Sequence, residues 1–178
     1  MGTDMERKLI KKVKKGNQKA FKKLYDLYSG YALRTAFAMT KSEADASDIV
    51  QETFIRVYRS IESFKEAKPF KPWFYRILIN ETHRLLKKRS DSRNIYMDVE
   101  ASEFLHPTSS VEGDYEDLEE ALDQLDHHHK TVVVLKYLHG FSEKEIASIL
   151  AENQNTIKSR LYKGRQKLKQ VLGEIEHE

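Results

Sequence analysis

The chain has 178 residues, of which 33% are charged and 39% hydrophobic, and a formal net charge of +3. That balance excludes a disordered tail and supplies apolar material for one ordinary domain or two small ones. The absence of cysteine removes disulfide frameworks, cysteine–zinc sites and thiol catalysis together.

Seven Gly and three Pro in this length favour helix. No apolar run approaches the ~20 residues of a membrane span. The opening MGTDMERKLIKKVKKG carries no signal-peptide apolar stretch. The expectation is a cytoplasmic, helical protein with no membrane contact of its own.

The net charge hides a segregation: residues 1–90 carry +11, residues 91–126 carry −11 and residues 127–178 carry +3. A basic block suits a polyanion, because neutralising phosphates releases condensed counterions. A solvated lysine surface is the plainer alternative. The acidic block includes Pro107, Gly113 and a Ser/Thr cluster, with no sustained apolar period. Its first two dozen residues read as a linker, longer than loops inside domains usually are.

Along residues 1–90, Ala20, Phe21, Leu24, Tyr25, Leu27 and Tyr28 form an apolar stripe at spacings of three and four. Tyr31, Leu33, Ala36 and Phe37 predict a second helix. Ser42, three residues before Asp45, is a candidate N-cap. The helix it opens carries Val50, Phe54, Val57 and Ile61, flanked by Asp48, Gln51, Glu52, Arg56 and Arg59. That polar edge is either a solvated face or an interface.

Pro69 and Pro72 suit a loop and a first helical turn. Beyond them Phe70, Phe74, Ile77, Leu78 and Leu85 make a core side. Arg76, Asn80, His83 and Lys87 share another stripe, with Trp73 at its border. Cations and amides beside exposed aromatics bind single-stranded nucleic acid, through phosphate neutralisation and base stacking. Trp73 and Phe74 also fit a plain core.

Past the acidic block, Tyr115, Leu118, Leu122 and Leu125 define one amphipathic helix. Val132, Leu135 and Leu138 define a second, ending at Gly140. Ser142 and Glu145 form a capping box, with Phe141 and Ile146 placed as a hydrophobic staple. A short polar turn, AENQN, separates that helix from a basic one carrying Ile157, Leu161, Leu168, Val171 and Leu172. Helix, short turn and basic helix is the helix-turn-helix pattern, whose second helix enters the major groove. Asn155, Ser159, Tyr162, Lys163 and Gln166 lie opposite the apolar stripe, flanked by Lys158, Arg160 and Arg165. The run His127-His128-His129 points in three directions on a helix and is read as structural or surface, not metal-binding.

In this order the segments KKGNQKAFKKLYDLY, KSEADASDIVQETFIRVYRSIESF, FKPWFYRILINETHRLLKKR and DHHHKTVVVLKYLHGFSEKEIASIL with NTIKSRLYKGRQKL resemble a bacterial extracytoplasmic function (ECF) sigma factor with only sigma regions 2 and 4. The resemblance spans roughly residues 6–89 and 114–172. It implies an all-α protein of two small helical domains: region 2 over 1–90, an acidic flexible linker over 91–113, and a four-helix region 4 with the helix-turn-helix over 114–178. Asp48, Gln51, Glu52, Phe54 and Arg56 would lie on or near the helix that grips the β′ coiled coil of core RNA polymerase. Ser63, Phe64, Lys65, Lys68, Lys71, Trp73, Arg76, Asn80, His83 and Lys87 would face the −10 strand. Asn155, Thr156, Lys158, Ser159, Arg160, Tyr162, Lys163 and Gln166 would face the −35 duplex, and the apolar part of region 4 would dock on the β flap.

Lysine stands at 158 and 163 where arginine is common, and it lacks arginine's bidentate fork. Family habit adds an anti-sigma factor as partner; no cofactor or metal is implied. The implied function is promoter-specific initiation without covalent chemistry. The alternatives are a stand-alone helix-turn-helix regulator and a nucleic-acid enzyme. The latter would need clustered carboxylates or a nucleophile, and the acids here are dispersed.

Overall fold

In the computed structural model, which describes residues 2–93, 118 and 120–175, four helices come first along the chain. They are α1 (Gly2–Lys14), α2 (Gln18–Thr40), α3 (Glu43–Ser60) and α4 (Phe70–Arg93), with a 3₁₀ turn at Ile61–Ser63. After the undescribed stretch, residues 120–123 are helical. Then follow α5 (His127–Val133), a π-helical turn (Val134–Leu138), α6 (Glu143–Leu150) and α7 (Gln154–Ile175). No strand occurs among the described residues. The chain divides into two units, Met1–Leu86 and Lys87–Glu178.

In the first unit, Asn17 caps α2 by accepting from the Ala20 backbone N–H at 2.9 Å. Ser42 caps α3, accepting from the Asp45 N–H at 3.2 Å, as the sequence predicts. Phe37 and Tyr31 belong to α2 itself: one 23-residue helix replaces the two expected. Gly30 lies within it, exposed, where a glycine weakens a helix without breaking it. Leu9, Ile10 and Val13 bury α1, an element the apolar pattern did not reveal. Glu6 of α1 accepts from the Tyr28 hydroxyl of α2. Burial first, then that bond and the Glu6 charge, raise the Tyr28 pKa and keep its phenol protonated. Lys14 Nζ donates to the Phe64 carbonyl at 2.6 Å, tying α1 to the loop before α4.

The core of this unit is aromatic. Phe54 packs on Tyr25 (4.6 Å) and Phe74 (5.3 Å), and Phe74 meets Tyr28 at 4.8 Å. Phe70 contacts Tyr28, Phe64 and Trp73 at 5.3–5.5 Å. Offset and edge-on ring pairs add about 0.5–1.5 kcal/mol each beyond burial. The chain of rings joins the α2–α3 packing to the loop ahead of α4.

In the second unit, Asp126 caps α5, its Oδ1 accepting from the N–H groups of His128 (3.0 Å) and His129 (3.1 Å). Oδ2 meets the His129 ring. Gly140, at φ +68°, stops the π turn. Its N–H donates to Lys136 and that of Phe141 to Leu135, each pair one residue wider than an ordinary Schellman closure. The wider turn absorbs a residue, so Leu138, expected inside at a spacing of three, is 42% exposed while His139 turns in. The Ser142–Glu145 capping box forms in full. The turn after α6 passes through Ala151 at φ +54°, a left-handed position usually given to glycine. Ile157, Leu161 and Val171 of α7 are buried, and Leu168 and Leu172 half-buried.

α4 runs to Arg93, three residues into the segment read as linker. The rest of that segment, 94–113, and Tyr115 lie outside the described residues.

Candidate nucleic-acid interface

Two surfaces carry the candidate residues, one on each unit. On the first, Asp48 and Gln51 are exposed on α3. Glu52 and Arg56 are bound into an ion-pair network with α4. Arg56 Nε lies 3.2 Å from Glu52, both Arg56 and Arg84 meet Glu81, and Arg84 lies 3.8 Å from Glu52. Glu81 is 5% exposed, so its charge requires the two guanidinium groups. Phe54 is 4% exposed and Phe64 likewise. Phe64 leaves the set of surface contacts, its ring part of the aromatic core, and Phe54 is a core ring that meets the surface only as lining of a groove on α3.

Beside Gln51 the structure opens a groove that the sequence pattern did not point to. Gln18, Phe21 and Tyr25 of α2 and Gln51, Phe54, Ile55, Tyr58 and Arg59 of α3 line it. Tyr25, Ile55 and Tyr58 are 39–46% exposed. The sequence signal is there in retrospect: α3 carries Phe54, Ile55, Val57 and Tyr58, a wider apolar arc than one buried face uses. Apolar floor with amide and cation edges is the chemistry of a helix-in-groove protein contact.

Along the loop and α4, Lys65, Lys68, Lys71, Arg76, Asn80 and Lys87 are exposed and His83 half-buried. The Ser63 hydroxyl donates to the Ser60 carbonyl at 2.8 Å. Trp73 is half-buried, packed against Phe64 (4.9 Å) and Phe70, and so remains partly accessible. Core packing and surface presentation thus coexist in Trp73, whereas Phe74 is wholly core. Lysines, arginine, asparagine and a part-exposed indole together suit a single strand.

On the second unit, Asn153 accepts from the Asn155 N–H at 2.8 Å and opens α7. Asn155, Lys158, Ser159, Tyr162, Lys163 and Gln166 are exposed along one stripe, and Tyr162 is 58% exposed. Thr156 is half-buried. Arg160 is held by Glu152, its Nη1 at 2.9 and 2.8 Å from the two carboxylate oxygens. It stands apart from the exposed stripe. Helix-turn-helix geometry and this stripe fit readout of duplex DNA in the major groove. Among the described residues, no three His, Cys, Asp or Glu side chains come together to hold a metal, and no helix is long and apolar enough to cross a membrane.

Comparison with known proteins decides the family. The Sigma-70 region 2 family matches residues 24–92 and the Sigma-70 region 4 family residues 115–168. The chain is 33% identical to the ECF RNA polymerase sigma factor SigW of Bacillus subtilis, over 96% of this chain and 98% of that protein. This chain belongs to the ECF sigma factors. It is also 38% identical to the RNA polymerase sigma factor SigV of the same organism, over 73% of this chain and 77% of that protein. In structure it resembles the Bartonella quintana sigma factor RpoE, solved with the anti-sigma factor NepR (TM-score 0.73, 28% identity, covering 87% of this chain and 98% of that one). CnrH, solved with the cytosolic domain of CnrY, gives a TM-score of 0.74 at 25% identity, over 96% of this chain and 98% of that one. A stand-alone regulator is not favoured, because the first unit of an ECF sigma factor is region 2 and not a sensing or dimerising domain.

Proposed function

We propose that this sigma factor docks on core RNA polymerase through the α2–α3 groove and directs it to promoters by reading −35 duplex with α7 and −10 single strand with the Lys65–Lys71 loop and α4. The supporting observation is the pairing of two chemically different surfaces in one chain: an apolar, amide-edged groove and a basic helix-turn-helix stripe. In this reading region 2 occupies residues 1–90, an acidic tether 91–113 and region 4 residues 114–178. Each domain binds DNA weakly by itself, and polymerase fixes their spacing so that joint engagement raises the effective concentration of the second contact.

Gln51, Tyr25, Ile55 and Tyr58 take the polymerase coiled coil, while Glu52 and Arg56 fix α3 to α4 through their ion-pair network. The exposed Tyr137 and Leu138 on the π turn offer region 4 an apolar contact for the β flap. Trapping of unpaired bases by Trp73, Arg76 and Asn80 favours the melted promoter, so initiation requires binding energy and no covalent step. The protein works in the cytoplasm and is not an enzyme. An anti-sigma factor, the kind of partner solved with RpoE, has the same groove to cover.

Run-off transcription with core polymerase on a promoter library tests this. Selective initiation only when both are present supports it. Tight specific duplex binding by the chain without any gain of polymerase activity overturns it.

A further inference from the structure

Of the cations on α7, Lys158, Lys163, Arg165, Lys167 and Lys169 are exposed and form no ion pair with a described residue. Arg160 differs. Both oxygens of Glu152 sit on its Nη1, at 2.9 and 2.8 Å, and the two side chains are 23% and 31% exposed. Glu152 lies in the turn itself, held by its backbone N–H on the Ala147 carbonyl at 3.0 Å. At ~100° per residue, Arg160 falls roughly 130° from the centre of the Asn155–Gln166 stripe, too far round the helix to reach a base edge. What an arginine at the flank of a recognition helix reaches instead is phosphate, and phosphate contacts add affinity without sequence information.

We propose that Glu152 limits the sequence-independent DNA affinity of this sigma factor: by neutralising Arg160 it keeps that guanidinium out of phosphate binding, so that α7 owes more of its affinity to the base-reading stripe. The half-buried setting matters, because an ion pair shielded from water and salt is not displaced by one passing phosphate as an exposed pair would be. A cation available to every phosphate adds the same contact on matched and unmatched duplex, so its release raises sequence-independent affinity and its salt dependence, and with them the occupancy of the many competing sites.

The proposal rests on α7 reading the −35 duplex. Its test uses the full chain, free and as holoenzyme, with fluorescence anisotropy on two duplexes. One carries the −35 sequence recovered from the promoter library and the other a scrambled sequence, each between 50 and 200 mM salt. For Glu152→Gln the scrambled-duplex affinity is expected to rise about three- to fivefold at low salt. The slope of log affinity against log salt is expected to steepen by about 0.9, the release from one added phosphate contact. The matched duplex gains about as much, which marks the added contact as one to phosphate. Arg160→Gln alone leaves the slope unchanged, and the double variant returns to the parent value. Glu143→Gln, an equal change of charge on α6, does not steepen the slope.

A slope unchanged in both Glu152→Gln and Glu152→Ala, with unaltered helical circular dichroism, overturns the proposal. So does a slope flattened by Arg160→Gln alone, or an equal effect from Glu143→Gln. If the parent holoenzyme does not distinguish the two duplexes, the α7 reading itself falls and the proposal with it. If it does distinguish them while Glu152→Gln does nothing, only the role of Glu152 falls.

Discussion

Gly164 of α7 faces Val133 of α5 so closely that a Cβ at Gly164 would lie 2.9 Å from Val133 Cγ2. The absent side chain is what lets the recognition helix seat on α5. Gly164→Ala gains about 1 kcal/mol of helix propensity. It also forces a β-branched, rotamer-locked neighbour to move, at about 1–3 kcal/mol. The expected net is a loss of about 1 kcal/mol in urea denaturation. Val133→Ala removes the obstructing methyl, so Gly164→Ala made in that background should no longer destabilise. Equal losses in both backgrounds would show that the contact is not the cause.

Glu81 is the buried acid that Arg56 and Arg84 share. Its removal leaves two half-exposed cations facing each other and a small void between α3 and α4. Glu81→Ala should cost about 2–3 kcal/mol, and Arg84→Ala, whose side chain is 60% exposed, less than about 1. Thermal melts of the two variants decide it. Equal losses would mean that burial of the acid contributes nothing special.

His127 gives the second unit a pH dependence. Burial, then the neighbouring His128 charge, pushes its pKa below the ordinary 6.5. The unfolded chain therefore binds more protons than the folded one, and stability rises with pH. The contribution is full above about 6.5 and is lost as pH falls toward the lowered folded value. Asp126 acts lower: desolvation raises its pKa, but the His129 and His128 donors outweigh that and hold it below 3.8, so its contribution fades only in stronger acid. The melting temperature should fall between pH 7.5 and 5.5, and His127→Gln should flatten that fall. An unchanged profile in His127→Gln would remove His127 as its source.

Helix-capping chemistry was legible because it is local. Ser42, Ser142 and Glu145 act within one turn of themselves, and each made the bond its spacing predicts. Leu138 was not legible, since the π turn that rotates it outward is set by closure at Gly140 and not by any period. The helix boundary expected near Gly30 failed for a related reason: packing of Tyr28, Ala32 and Ala36 carries α2 through a weak residue. The groove was half legible. Gln51 was visible as a polar edge, but the exposure of Tyr25, Ile55 and Tyr58 depends on how α2 and α3 cross. Arg160 looked like any flanking cation until Glu152, eight residues away, was brought to it.

The groove makes a sharp distinction between neighbours on α3. Ile55 is 43% exposed and Phe54 4%. Ile55→Glu should leave the melting temperature nearly unchanged and weaken core polymerase binding by tenfold or more, since a charge would have to be desolvated against an apolar partner. Phe54→Ala should cost about 3–5 kcal/mol of stability, by cavity formation among Phe21, Tyr25 and Phe74. If Ile55→Glu binds polymerase normally, the contact lies elsewhere on the unit.

Lys158 and the cations beyond it on α7 should divide by role. Lys158 is exposed near the start of the helix, where recognition helices meet base edges, while Arg165 and Lys167 lie two turns further on. Lysine offers a point charge and rotatable donors in place of a planar fork, so its base preference rests on one position and not on bidentate geometry. Lys158→Ala should therefore flatten preference at one or two adjacent −35 base pairs, each worth about 1–3 kcal/mol, and leave the rest of the site intact. Lys167→Ala should lower affinity for matched and scrambled duplex alike and reduce the salt slope by about 0.9. Run-off transcription on singly substituted −35 promoters checks the first, and salt titration the second. A uniform loss from Lys158→Ala would move that residue to the phosphate-binding set and shift base readout toward Asn155, Ser159 and Lys163.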